Sequence, residues 1–168
     1  MRRILAVLVA GASALCRYGT LAAFALLIGV VLLQVLGRVP GIRSPAWTEE
    51  VARFALVYLV AFSCGLALLR GELVNVDLFV APLSEKARRV VDRVVDVVIL
   101  VFSLAIIPGA WDYVVGSFGE RARSIDLPMI AIYVVALIIP VSLAFFSSAR
   151  ILGFSRAEHY TMERGELV

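Results

Sequence analysis

Reactive side chains are scarce in this sequence. Histidine occurs once, at His159, and cysteine twice, at Cys16 and Cys64, far apart and in no CxxC spacing. A metal or dithiol centre needs several such groups brought together, so none is expected, and both thiols are expected to be buried and inert. No nucleophile, base and orienting group occur in a pattern that would support catalysis, so neither an enzyme nor a bound cofactor is expected. Lysine also occurs once, at Lys86, and the net charge of +3 comes almost wholly from arginine. Such a balance suits contact with anionic lipid headgroups, and nothing in it suggests nucleic acid.

Charge of either sign is scarce as well. Charged residues make up 17% of the 168 and apolar residues 62%, with a mean hydropathy of +0.98. An ordinary soluble domain is about half apolar. A soluble helical bundle would also need a polar outer face on every helix, and the centres of the long apolar runs have none. The composition therefore predicts a single all-α integral membrane domain over residues 1–168 in contact with lipid.

What is present is a series of uncharged runs near the roughly 20 residues that cross a bilayer. Residues 18–37 form the first, between Arg17 and Arg38. Residues 54–69 form the second and reach full length when the two turns from Ala46 are added. A third starts after Asp96 and contains Pro108-Gly109, a candidate kink. The clearest is residues 127–149, 23 uncharged residues interrupted by Pro140 and closed by Arg150. These runs predict four spans, at about 17–37, 46–69, 94–113 and 127–150. Trp111 and Tyr113 are expected as interfacial aromatics.

The remaining segments fit around the spans. Residues 1–16 look superficially like a signal peptide, but a full-length apolar run follows at once, so they are expected either to lengthen the first helix or to lie in the interface. Ser44 and Pro45 read as N-cap and first residue of the second helix, and Gly71 as its left-handed terminator. Residues 84–96 read as an amphipathic helix with Glu85, Arg89, Asp92 and Asp96 on one face, expected to be solvated or bound to headgroups. It can lie flat in the headgroup layer or form the foot of a long third span. Residues 151–168 are expected to be a mobile tail. Eleven cations fall on the side of Arg2 and Arg150 and five on the other. The positive-inside rule then places both termini, and the amphipathic segment, in the cytoplasm.

The chain is organised around residues 46–77. Trp47, Glu49, Glu50 and Arg53 open the second span, with both acids three or four positions from Arg53 and within reach of it on one helical face. They serve either as a solvated helix start that suits the helix dipole or as an ionic contact with a partner. Asp77, in the connector after this span, reads as a turn-capping residue or as part of the same interface. Span interiors carry only small polar groups such as Gln34, Ser63, Ser103 and Ser142, which suit contacts between helices. Transporters with their own solute site usually show paired repeats and broken helices. The residues therefore favour a scaffold.

Three motifs in order give the sequence a family resemblance: Trp47-Thr48-Glu49-Glu50-Val51-Ala52-Arg53; Arg70-Gly71-Glu72 through Val76-Asp77; and Leu127-Pro128-Met129 with Tyr133 and Ile139-Pro140. With the four-span layout they cover roughly residues 17–150, and the chain resembles the small membrane subunit of tripartite ATP-independent periplasmic (TRAP) transporters, of the DctQ type. It departs from that family after Gly71, with Leu73 and Asn75 where histidine and arginine are frequent. The resemblance implies a multi-pass protein of the bacterial inner membrane. Its implied partners are a large membrane subunit, which carries the sodium and substrate sites, and a periplasmic substrate-binding protein. It implies symport of organic acids, with this chain as scaffold and Trp47, Glu49, Glu50, Arg53 and Asp77 as the expected partner interface. The competing reading is a four-span assembly or signalling adaptor with no role in transport.

Overall fold

The structure is a computed structural model that describes residues 2–39, 45–72, 84–121 and 128–153, with the side chains of Arg2 and Glu85 left out. It contains four α-helices: α1 (Arg2–Leu36), α2 (Trp47–Arg70), α3 (Glu85–Gly116) and α4 (Ile130–Ile151). Of these, α1, α2 and α4 are long and apolar enough to cross a membrane. Charges in the first turns of α3 give way to an uncharged stretch after Asp96, and the helix runs through both.

Two open questions about helix extent are settled by continuity. Residues 4–16 lengthen α1, which runs for 35 residues without a break, or about 50 Å at 1.5 Å per residue. The amphipathic segment 84–96 and the following apolar run likewise form one helix of 32 residues, so the segment is the foot of α3. Ser84 starts that helix, its Oγ accepting from the Ala87 amide at 3.4 Å. Pro108 and Pro140 both lie inside helices that continue past them.

The start of α2 differs from expectation. Ser44 lies outside the described residues, and Pro45 precedes the helix instead of opening it, because α2 begins at Trp47. Its carbonyl accepts from the Thr48 amide at 3.1 Å and from Thr48 Oγ1 at 2.8 Å, so a buried threonine ties the preceding turn to the first turn of the helix. Gly71 closes α2 as expected, with a φ of 79°. That left-handed conformation suits glycine and lets the Gly71 and Glu72 amides reach back to the carbonyls of Leu68 and Ala67.

Packing follows the order α1, α2, α4, α3, so α2 and α4 lie between the other two. Antiparallel α1 and α2 meet where Gly19 faces Phe62; a Cβ at Gly19 would lie 2.8 Å from the ring. Parallel α2 and α4 meet where Gly65 receives Phe146, at 2.7 Å from such a Cβ. Small residues that admit a bulky neighbour are the usual basis of helix contact in lipid, where dispersion replaces the hydrophobic drive. The flanking helices each bury a narrow seam. On α1 it is Val9, Cys16, Ala23 and Val30, and on α3 Asp96, Ser103, Ala110 and Val114, continued by Ser117 just past the helix. Spacing of seven is the seam of helices crossing at about 20°. Outside these seams α1 and α3 expose leucine, isoleucine, valine and phenylalanine widely, whereas α2 and α4 expose few large apolar side chains.

Candidate functional site

The expected partner residues lie at the start of α2. Trp47, Glu49 and Arg53 are exposed and Glu50 is half-buried, while Thr48 between them is buried. Continuing at helical spacing from Glu49 and Arg53, Leu56 and Val60 are exposed as well. The first half of α2 thus carries an uncovered stripe, charged at its start and apolar further along. Two acids in the first turn suit the positive end of the helix dipole. Asp77 lies outside the described residues, as does the rest of its connector.

A second polar centre lies at the other end of α2, and the sequence reading placed one of its members wrongly. Asp96 does not share a solvated face with Arg89 and Asp92. It is buried, and its Oδ1 lies 3.1 Å from Arg150 Nε, with the two side chains only 6% and 13% exposed. The two atoms face each other without hydrogen-bond alignment, so attraction between the charges holds them rather than a directed bond. The neighbouring Arg150 Nη1 donates to the Leu68 carbonyl in the last turn of α2. Ser147, one turn before Arg150, donates its hydroxyl to the backbone carbonyl of Asp96. Three helices are therefore joined by one arginine and one serine of α4. Leu68, Leu69, Phe146 and Ala149 pack around the centre with Val9 and Cys16 of α1, and Ile99 of α3 packs against the same cluster. Cys16 and the half-buried Cys64 are free thiols.

The physical reason for this burial is the position of the two charges. Asp96 is the last charge before the uncharged part of α3, and Arg150 the first after the uncharged run of α4. In antiparallel helices those positions meet at the same end. A charge near hydrocarbon is costly when alone, and two of opposite sign relieve each other. That coincidence, together with the seven-residue spacing of Asp96, Ser103, Ala110 and Ser117, was the available signal. It was masked by the charge-rich face that Asp96 shares on a helical wheel with Arg89 and Asp92.

The opposite ends of the helices are tied differently. Tyr58 of α2 donates its hydroxyl to the Ala131 carbonyl at the start of α4. Tyr133 donates to Glu120 Oε2 at 2.9 Å, and its ring meets that of Tyr113 edge-on at 4.8 Å. The Met129 amide donates to the Glu120 carbonyl at 2.9 Å. Trp111 and Tyr113 are exposed near this end, where interfacial aromatics belong. Among the described residues no three histidine, cysteine, aspartate or glutamate side chains converge as a metal site. The arrangement holds helices together; its polar groups point at one another and at backbone carbonyls.

Comparison with known proteins gives one family. The model of the family described as tripartite ATP-independent periplasmic transporters, DctQ component, matches residues 27–157, more than half of the chain. A search of curated proteins finds no match.

Proposed function

This chain belongs to the DctQ family, the small membrane components of tripartite ATP-independent periplasmic transporters, and on that premise we propose that it is the fixed scaffold for a large membrane subunit that performs the transport. It is a multi-pass membrane protein of a transporter. The finer reading is sodium-coupled uptake of an organic acid, delivered by a periplasmic binding protein, across the bacterial inner membrane. In this reading α3 is the fourth crossing, both termini are cytoplasmic, and the exposed stripe of α2 with Trp47, Glu49, Glu50 and Arg53 meets the large subunit, joined by Asp77 of the connector.

The observation that carries the scaffold reading is the continuity of the four helices together with where their polar groups go. Solute and ion sites in secondary transporters are usually built from helices unwound near the midplane, whose freed backbone groups hold the cargo. Here α3 and α4 run on through Pro108 and Pro140, and the polar centre joins α2, α3 and α4 to one another. A rigid row with wide apolar flanks suits a stationary element against which another subunit moves.

Reconstitution in liposomes tests the proposal. The chain alone should give no sodium-driven uptake of organic acids, and adding the large subunit and the binding protein should give uptake that is lost when this chain is left out. Uptake by this chain alone would overturn the scaffold role. Uptake that is the same without it would favour the adaptor reading.

A further inference from the structure

Building on the scaffold reading, we propose that Asp96 and Arg150 are positioning residues: their pairing sets the register of α3 against α4, Arg150 extends it to α2 through the Leu68 carbonyl, and that register is what the large subunit recognises. The starting point is how little else specifies it. The seam of α3 above Asp96 has small residues at Ser103 and Ala110, continued by Ser117 just past the helix, with Val114 as its larger buried side chain. Sliding such a seam by seven residues, about two turns, exchanges one small residue for another at little cost. Between α2 and α4, the Gly65 seat for Phe146 is a matter of shape, and Tyr58 acts at the opposite end. A buried charge pair removes that degeneracy between α3 and α4, because any slip there separates two buried charges, and the bond from Arg150 to the Leu68 carbonyl carries the register on to α2. Single buried polar groups fix register in helical assemblies for the same reason.

Arg150 is suited to this role in a way that lysine is not. Its guanidinium is planar, with donors at fixed angles. Nε faces Asp96 while Nη1 faces the Leu68 carbonyl, so one rigid group sees α3 along one edge and α2 along another. Leu68 O is one of the carbonyls that a helix leaves short of partners in its last turn. The Gly71 amide supplies one donor at 3.0 Å, and Arg150 supplies a second from a different helix. The contact also puts a cation at the negative end of the α2 dipole. Arg150 therefore acts as a C-cap for α2 delivered from α4, and Asp96 holds it in place.

The test uses the full chain with two variants. Arg150→Lys keeps the charge beside Asp96 but cannot make both contacts. Asp96→Leu with Arg150→Met removes both charges, a replacement that often leaves stability unchanged or raised. Hydrogen exchange of the chain alone in lipid nanodiscs should show the Gly71 and Glu72 amides of Arg150→Lys exchanging roughly tenfold faster, with the first half of α2 protected as in the parent. The apolar pair should melt at or above the parent temperature and yet fail to co-purify with the large subunit. Unchanged exchange at Gly71 and Glu72 in Arg150→Lys, or an apolar pair that binds the large subunit as the parent does, would overturn the proposal. If the apolar pair does not fold, the exchange measurement on Arg150→Lys decides. If the parent chain does not bind the large subunit, the scaffold reading fails, while the exchange result still decides the cap and its register on this chain alone.

Discussion

Arg150 shows how much one side chain can do near the boundary of the hydrocarbon. Replacing it by Met leaves Asp96 buried without its cation, and breaking a buried pair in this way costs about 3–5 kcal/mol. Arg150→Met alone should therefore melt well below the parent in detergent. Asp96→Asn should lose less, because the amide is neutral and Arg150 keeps its contact with Leu68 O. The expected order of melting temperature is parent, Asp96→Asn, Arg150→Met, and melting of both variants at the parent temperature would show that the pair contributes nothing. Gly65 is sensitive for a different reason. An added Cβ would meet the Phe146 ring at 2.7 Å and Ser142 Cβ at 3.1 Å, and Phe146 is itself buried. Gly65→Ala should cost about 1–3 kcal/mol by overpacking, whereas Gly29→Ala, with nothing within 4 Å, should be tolerated. The same thermal melts separate the two.

Among the elements, α2 and α3 carry the clearest expectations. Glu49 and Arg53 are exposed on the first half of α2 before Leu56 and Val60, where a partner could neutralise charge better than a thin water layer. Glu49→Gln with Glu50→Gln should weaken co-purification with the large subunit and leave the melting temperature of this chain near that of the parent. Retained binding would mean that the acids only start the helix. For α3, one unbroken helix from Glu85 to Gly116 gives the amphipathic foot and the apolar run a common axis, so a crossing puts its ends on opposite sides. In a background with Cys16→Ala and Cys64→Ala, Glu120→Cys should react with an impermeant thiol reagent from the periplasm, and Lys86→Cys should not. Labelling of both from one side would remove α3 from the set of crossing helices.

For the whole molecule, the order of packing is itself a prediction. A four-helix bundle wound in sequence order would put α2 and α4 on a diagonal, but here they are direct, parallel neighbours. Tyr58→Cys with Ala131→Cys should be joined by a short bifunctional thiol cross-linker in the cysteine-free background, since the Tyr58 hydroxyl reaches the Ala131 carbonyl across the length of its side chain. Failure of that pair to cross-link with the reagent, in protein that is otherwise folded, would argue for the sequential bundle. The row also leaves α1, like α3, resting mainly on a single neighbour. Its main seat is Gly19 on Phe62, so enlarging Gly19 to leucine should loosen α1 while the rest of the row persists. Limited proteolysis within α1 would report that.

Composition and uncharged run length were enough, by themselves, to establish a helical membrane protein, because a backbone in lipid must satisfy its own hydrogen bonds and so must be helical over any long apolar run. The end of α2 was equally legible, since Gly71 is the residue that adopts the left-handed cap at low cost. The three motifs also carried the family resemblance. Whether residues 4–16 and 84–96 would join their neighbouring helices was not decided there, because an amphipathic or apolar stretch is helical either along the interface or across it. The role of Asp96 was misread for a related reason: a helical wheel groups Asp96 with Arg89 and Asp92, but only packing decides how far along the axis a neighbouring helix covers that face. Because α4 reaches Asp96 with Ser147 and Arg150, a residue with the sequence signature of a solvated charge becomes the buried centre of the row.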